Sequence, residues 1–242
     1  MAAVVVMIAI AGGACTRNPP LETIVHGGEG PPTLVLLHGY GSSAEEWAPF
    51  TRTIEWPPRG RFVFPQAPEV LAASAGGSSR RAWWPLDLQS NIPSGQSLPD
   101  LSNAQPTGLG TVASRVEDLV ASISRTSGRP IVLGGFSQGA MVAGEVTFRS
   151  HAQVAGLILL SGTAVDEASW RARYARRRGL PVFIAHGRGD LALSFAIADR
   201  MRQELEAAGL DVTWVPFDGG HEIPAEAVIA LNQFLKRFTV DR

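Results

Sequence analysis

Four stretches hold the side chains best suited to chemistry: His38-Gly39-Tyr40-Gly41, Gly135-Phe136-Ser137-Gln138-Gly139, His186-Gly187-Arg188-Gly189-Asp190 and Gly219-Gly220-His221. A serine hydroxyl is a weak nucleophile at neutral pH and needs a base within hydrogen-bond reach. His221 is the candidate base, able to take the Ser137 proton and hand it to a leaving group. Asp190 is the candidate partner that holds the imidazole tautomer and stabilises the imidazolium. The backbone N–H groups of Tyr40 and Gln138 are candidate donors to a developing oxyanion, and losing one such donor typically costs about 3–4 kcal/mol in the barrier. These types in this combination point to acyl transfer through a covalent serine intermediate.

Each assignment competes with a plainer one. Gly-x-Ser-x-Gly also arises as a small-residue turn, so its weight comes from the apolar strand before it and the helix-forming residues after it. His38 and His186 stand before glycines at strand ends and read as structural hydrogen-bonders, while His26 and His151 read as surface residues. Asp218 and Glu222 are also near His221, but Asp218 is too close on the same loop to orient the ring comfortably. Trp83 and Trp84 are candidate substrate contacts; the competing reading is that the paired indoles anchor a loop to the core.

These groups converge only if the elements between them alternate correctly. Thr33-Leu34-Val35-Leu36-Leu37, Arg61-Phe62-Val63-Phe64-Pro65, the run from Ile131, Ala155-Gly156-Leu157-Ile158-Leu159-Leu160, Pro181-Val182-Phe183-Ile184-Ala185 and Asp211-Val212-Thr213-Trp214-Val215-Pro216 read as strands, most of them apolar throughout as strands covered on both faces are. Val112, Val116, Leu119, Val120 and Ile123 share a helical face, residues 195–208 read as a helix, and Val228, Leu231, Leu235 and Phe238 line a final one. Ser43 and Glu46 have capping-box spacing. The alternation predicts an α/β fold: a mostly parallel central sheet with helices on both faces and right-handed crossovers. In such a sheet the carboxyl ends of the strands share one edge, which brings the four stretches together. Residues 74–106 follow no period and read as a long functional connection. Residues 166–178 form a polar excursion with five arginines, read as a solvated helix face or, in a lipid-anchored protein, a surface for anionic headgroups.

Bulk properties exclude several classes. The 242 residues suit one large α/β domain, hydrophobic residues make up 45%, and a net charge of −1 gives no footprint for nucleic acid. The single cysteine, Cys15, rules out an intrachain disulfide, and no Cys/His pattern reads as a zinc site. Residues 2–14 carry no charge and are too few to span a bilayer, which takes about 20. The chain therefore divides into a signal or lipoprotein segment (1–15), a tether and lead-in (16–30) and a catalytic domain (31–242). Ala14-Cys15 resembles the lipobox of bacterial lipoproteins, where lipidation of the cysteine would attach the protein to a membrane. The competing reading makes this segment an apolar strand or helix of the fold and leaves the protein cytoplasmic.

The Gly135-Phe136-Ser137-Gln138-Gly139-Ala140 run, His38-Gly39-Tyr40-Gly41 with Trp47, His186-Gly187-Arg188-Gly189-Asp190 and Gly220-His221-Glu222-Ile223-Pro224 resemble the phospholipase/carboxylesterase family of α/β-hydrolases, which includes the acyl-protein thioesterases. The resemblance runs from about Thr33 to the C-terminus. It implies an α/β-hydrolase without metal or organic cofactor, acting on a small-molecule or lipid-like carboxylic ester or thioester. It also implies Ser137, Asp190 and His221 as triad and Tyr40 and Gln138 as oxyanion donors. The sequence departs from the family at Leu191-Ala192-Leu193-Ser194, where relatives usually continue Pro-x-Val-Pro in a loop that lines the acyl side, which by this resemblance makes Leu191 a candidate substrate contact, and in the polar, proline-rich connection 74–106. With the N-terminal segment read as an export signal, the expectation is an extracytoplasmic serine carboxylesterase. An acyl thioesterase or lysophospholipase-type hydrolase is the alternative, and a non-catalytic binding protein on the same fold a third reading.

Overall fold

A computed structural model of the chain describes residues 4–5, 19–73, 79–86 and 100–239. Cys15, with most of the apolar N-terminal run, and much of the 74–106 connection lie outside the described residues. Strands β1 (Val4–Val5), β2 (Thr23–Gly27), β3 (Thr33–Leu37) and β4 (Arg61–Pro65) come first, then β5 (Glu69–Ala73) and β6 (Ser79–Ala82). They are followed by β7 (Ile131–Phe136), β8 (Gly156–Leu160), β9 (Pro181–Gly187) and β10 (Asp211–Phe217). Eight of them form one sheet in the order β1-β2-β4-β3-β7-β8-β9-β10. From β4 to β10 every neighbouring pair is parallel, while β2 joins β4 and β1 joins β2 antiparallel.

The period-two alternation of strand side chains divides the core in two. Val35 and Leu37 of β3, Ile131 and Leu133 of β7, and Val182 and Ile184 of β9 face one side. There they pack under α2 (Leu109–Thr126), α3 (Gln138–Arg149), α4 (Glu167–Tyr174) and α5 (Phe195–Ala207). Leu34, Leu36, Val132, Phe183 and Ala185 face the other side, covered by α1 (Ala44–Trp47) and α6 (Ala225–Leu235). Both faces are buried, which is why the strands read as nearly continuous apolar runs. Ser43 caps α1 by accepting from Glu46 N–H at 3.3 Å, but Glu46 reaches Ser42 Oγ at 2.8 Å, so the capping box forms only one of its two bonds.

Three expectations change. The domain does not begin at residue 31, because β2 inside the proposed lead-in is a full member of the sheet. The connection 74–106 is not wholly irregular: β5 and β6 form an antiparallel hairpin, and Ser42 bridges to Arg81 beside it. The arginine run is more than a solvated face. Arg171 pairs with Glu167 and Glu204, and Arg177 donates to the carbonyls of Thr147, Ser150 and Ala152. A cavity of about 1140 Å³ lies at the amino ends of the parallel strands, lined by Pro31, Arg129, Pro130, Pro181, Asp211 and Arg237 among others. It is on the sheet edge opposite the candidate chemistry. Its charges are engaged within the fold, Arg237 with Asp211 at 2.9 Å and Arg129 Nε with Ser124 at 3.0 Å. Among the described residues, no helix is long and apolar enough to cross a membrane.

Candidate active site

Ser137 stands between β7 and α3 with φ 54° and ψ −119°. A left-handed φ is costly for a residue with a Cβ, and such strain persists only where the surroundings impose it. Here they do. Ser137 N–H donates to Leu160 O at 2.9 Å, and Met141 N–H closes the first helical turn on Ser137 O at 3.2 Å. The flanking glycines are required by contact. A Cβ on Gly135 would lie 2.5 Å from the Gly139 carbonyl carbon, and one on Gly139 would strike the carbonyl oxygens of Leu37 and His38. The helix start thus packs backbone to backbone on the end of β3. The loop after β3 lies against the nucleophile, since a Cβ on Gly39 would be 3.5 Å from Ser137 Cβ.

The carboxylate and imidazole arrive from the ends of β9 and β10. Asp190 Oδ2 accepts from His221 Nδ1 at 2.8 Å. A carboxylate only accepts, so His221 Nδ1 is the donor in this pair and Nε2 is the ring nitrogen not engaged by Asp190. Asp190 Oδ1 accepts from the N–H groups of Ala192 and Leu193, both at 2.8 Å. His186 Nε2 donates to Leu193 O at 2.9 Å and also lies 3.3 Å from Asp190 Oδ2. Burial alone would push the Asp190 carboxyl up, but the bonds from His186, His221 and the Leu193 N–H outweigh it and hold it well below the ordinary carboxylate range. The His221 ring tilts against Phe136, the neighbour of Ser137, with centroids 4.8 Å apart. The loops carrying acid and base are stitched together by Gly189 N–H to Gly219 O at 2.9 Å and Arg188 N–H to Phe217 O at 2.9 Å.

Gln138 is the first residue of α3, where an N–H has no partner within the helix. Tyr40 lies on the loop that presses on Ser137. The two segments that carry the predicted oxyanion donors thus adjoin the serine, one through Gly39 and the other as the residue that follows it. His38 and His186 are buried structural hydrogen-bonders as expected; His38 Nδ1 donates to Gly39 O at 2.8 Å and its Nε2 accepts from Ala67 N–H at 3.2 Å. Burial lowers the His38 pKa to about 4, so the ring is neutral. Of the two histidines read as surface residues, His151 is exposed but His26 is half-buried, edge-on to Phe64.

The expectation that Trp83 and Trp84 contact substrate is not how the structure uses them. Each is only 1% exposed, within the core shared with α2 and α3, so neither offers a rim surface to an acyl group. Leu191, next to Asp190, is 63% exposed and remains available at the rim. Sequence reasoning missed the Gln138 side chain, whose Oε1 accepts from Trp83 N–H and whose Nε2 donates to Trp84 O, both at 2.8 Å. A polar side chain in an otherwise apolar first turn was the available signal.

A family model described as Phospholipase/Carboxylesterase matches residues 21–239. Acyl-protein thioesterase 1 of Neurospora crassa is 26% identical over 215 residues, covering 84% of this chain and 85% of its own length. The crystal structure of esterase PE8 superposes with a TM-score of 0.74 at 25% identity, covering 91% of this chain and 100% of that one. Acyl-protein thioesterase 2 of Zea mays has a TM-score of 0.69 at 21% identity, covering 89% and 98%, and this likeness concerns the fold alone.

Proposed function

The chain belongs to the phospholipase/carboxylesterase family of ester-hydrolysing α/β-hydrolases, and we propose that it is a serine carboxylesterase working through an acyl-Ser137 intermediate. His221 Nε2 takes the Ser137 hydroxyl proton as Oγ bonds to the substrate carbonyl carbon, and the carbonyl oxygen becomes an oxyanion held by the N–H groups of Tyr40 and Gln138. Collapse breaks the bond to the alkoxy oxygen, which leaves with the proton from His221. Water then repeats the sequence on the acyl-serine, giving the carboxylic acid and restoring the serine. Asp190 keeps the imidazole in the required tautomer and balances its charge when protonated. The observation that carries this reading is the 2.8 Å contact from His221 Nδ1 to a carboxylate that also accepts from the N–H groups of Ala192 and Leu193, with Ser137 in a left-handed turn at the end of β7.

A fluorophosphonate probe should label the wild-type protein and leave Ser137→Ala unlabelled, with hydrolysis of p-nitrophenyl esters lost in parallel. A wild-type protein that takes no label would instead favour a non-catalytic binding protein. The names of the sequence relatives favour a second reading, acyl thioester hydrolysis, which the same groups would serve. Competing acyl thioesters against p-nitrophenyl esters of matched chain length decides between them by the ratio of kcat/KM values. Leu191 is the proposed acyl contact. For location, the uncharged run at residues 2–14 ahead of Cys15 supports export, with lipid attachment at Cys15. Pairing of Val4 with Val25 and Val5 with Ile24 supports the competing cytoplasmic reading, in which this segment is an edge strand.

A further inference from the structure

Resting on the reading of Tyr40 and Gln138 as oxyanion donors, the geometry points to Trp83 as a positioning residue that fixes the spacing between them. An oxyanion hole works only if its N–H groups are already aimed at the place where charge develops. In this chain the two donors come from unrelated segments, the loop after β3 and the start of α3. Trp83 is bonded to both. Its backbone N–H donates to Gln138 Oε1 at 2.8 Å, and its indole Nε1–H donates to His38 O at 2.7 Å. The Gln138 amide closes the other side of the clamp on Trp84 O, also at 2.8 Å.

The effect on Tyr40 passes through two peptide planes. A trans peptide is planar, with C=O and N–H pointing opposite ways, so whatever holds a carbonyl aims the N–H that follows. The Tyr40 N–H belongs to the peptide whose carbonyl is Gly39 O. That oxygen is held by His38 Nδ1–H at 2.8 Å and Ser42 N–H at 3.3 Å. The His38 ring is in turn fixed by Ala67 N–H on its Nε2 and by the Trp83 indole face, with centroids 5.3 Å apart. The preceding carbonyl, His38 O, is the one that takes the indole proton. From outside, the hairpin strand β6 locks the loop: Gly41 N–H donates to Arg81 O at 2.7 Å and Arg81 N–H to Ser42 O at 3.0 Å. Trp83 follows directly after β6 and is buried with His38 and Gln138, so the clamp works without solvent competition.

The test uses Trp83→Phe, which keeps an aromatic ring but removes the indole donor, with His38→Asn and His38→Leu. Asparagine retains a donor near the Nδ1 position and leucine does not. Rates on p-nitrophenyl acetate are normalised to active sites titrated by the fluorophosphonate, which removes any loss of folded protein. Affinity is measured for an aryl boronic acid, whose tetrahedral serine adduct places an oxygen among the oxyanion donors. Trp83→Phe and His38→Leu should lower kcat about tenfold with KM within about twofold, the pattern of an interaction made in the transition state. Boronate affinity should fall by a matching factor, and His38→Asn should recover most of what His38→Leu loses. Wild-type kcat and boronate affinity in titrated Trp83→Phe, with only thermal stability reduced, would overturn the assignment, as would a rise in KM alone. Hydrolysis that survives Ser137→Ala would instead sink the reading of the site, and the clamp with it.

Discussion

At the scale of single residues, two histidines four residues or fewer from glycine-rich strand ends do opposite things, and their surroundings explain why. His221 is partly exposed, carries a proton on the nitrogen facing Asp190 and leaves the other nitrogen for the reaction. His38 is buried with both nitrogens engaged, and burial holds its pKa at about 4. In the unfolded chain that ring takes up a proton as pH falls through about 6.5, whereas the folded chain resists until about 4. Stability should therefore be level above neutral pH and decline as pH drops between those values. Denaturant titrations should show a loss of about 2 kcal/mol between pH 7 and pH 4.5 in the wild type, attributable to this ring and absent from His38→Asn. Asp190 acts in a lower window, where protonation neutralises the group instead of charging it. Its folded pKa is depressed, so its contribution is complete above the ordinary carboxylate range and disappears only as pH falls further.

At the scale of elements, the glycines at strand ends are where sequence and geometry meet most directly. A Cβ on Gly187 would strike Gly220 O and lie 2.6 Å from Gly219 O, on the loop that carries His221. Gly187→Ala should therefore push that loop away and lower kcat about a hundredfold, the effect of misplacing a catalytic group by about 1 Å. Gly110 in α2 has open space around a Cβ, so Gly110→Ala should leave kcat unchanged and raise stability by about 0.5–1 kcal/mol. Thermal melts and steady-state rates on the pair separate the two cases. The same contrast explains what could be read from the chain. Strands β3 and β4 fell where their apolar runs placed them, at Thr33–Leu37 and Arg61–Pro65, because both faces are covered. The serine turn was legible because only glycine tolerates the approach of Leu37 and His38. The β5–β6 hairpin was not, since Glu69-Val70-Leu71-Ala72-Ala73 lacks alternation and its partner strand is largely polar. Nor could local sequence show that Trp83 and Trp84 point inward, because Gln138 and His38, which hold them, are remote along the chain.

At the scale of the whole molecule, the two ends of six parallel strands differ: their carboxyl ends gather Ser137, Asp190 and His221, while their amino ends meet a hollow where Arg237 pairs with Asp211 and Arg129 bonds to Ser124. The antiparallel edge bears on location. If the leader is removed, β2 loses the pairing that Val4–Val5 provides and becomes the edge of the sheet. Intact-mass analysis of protein from a bacterial host should show a mature form beginning at Cys15 and carrying lipid, and Cys15→Ala should abolish the added mass. A chain retaining Met1 in the cytoplasm would favour the edge-strand reading. The hollow also has a practical bearing. It lies at the opposite sheet edge from Ser137, Asp190 and His221, so a linker grafted beside Arg129 would moor the protein to a bead with that edge turned outward, and immobilised protein would keep the turnover of the free form.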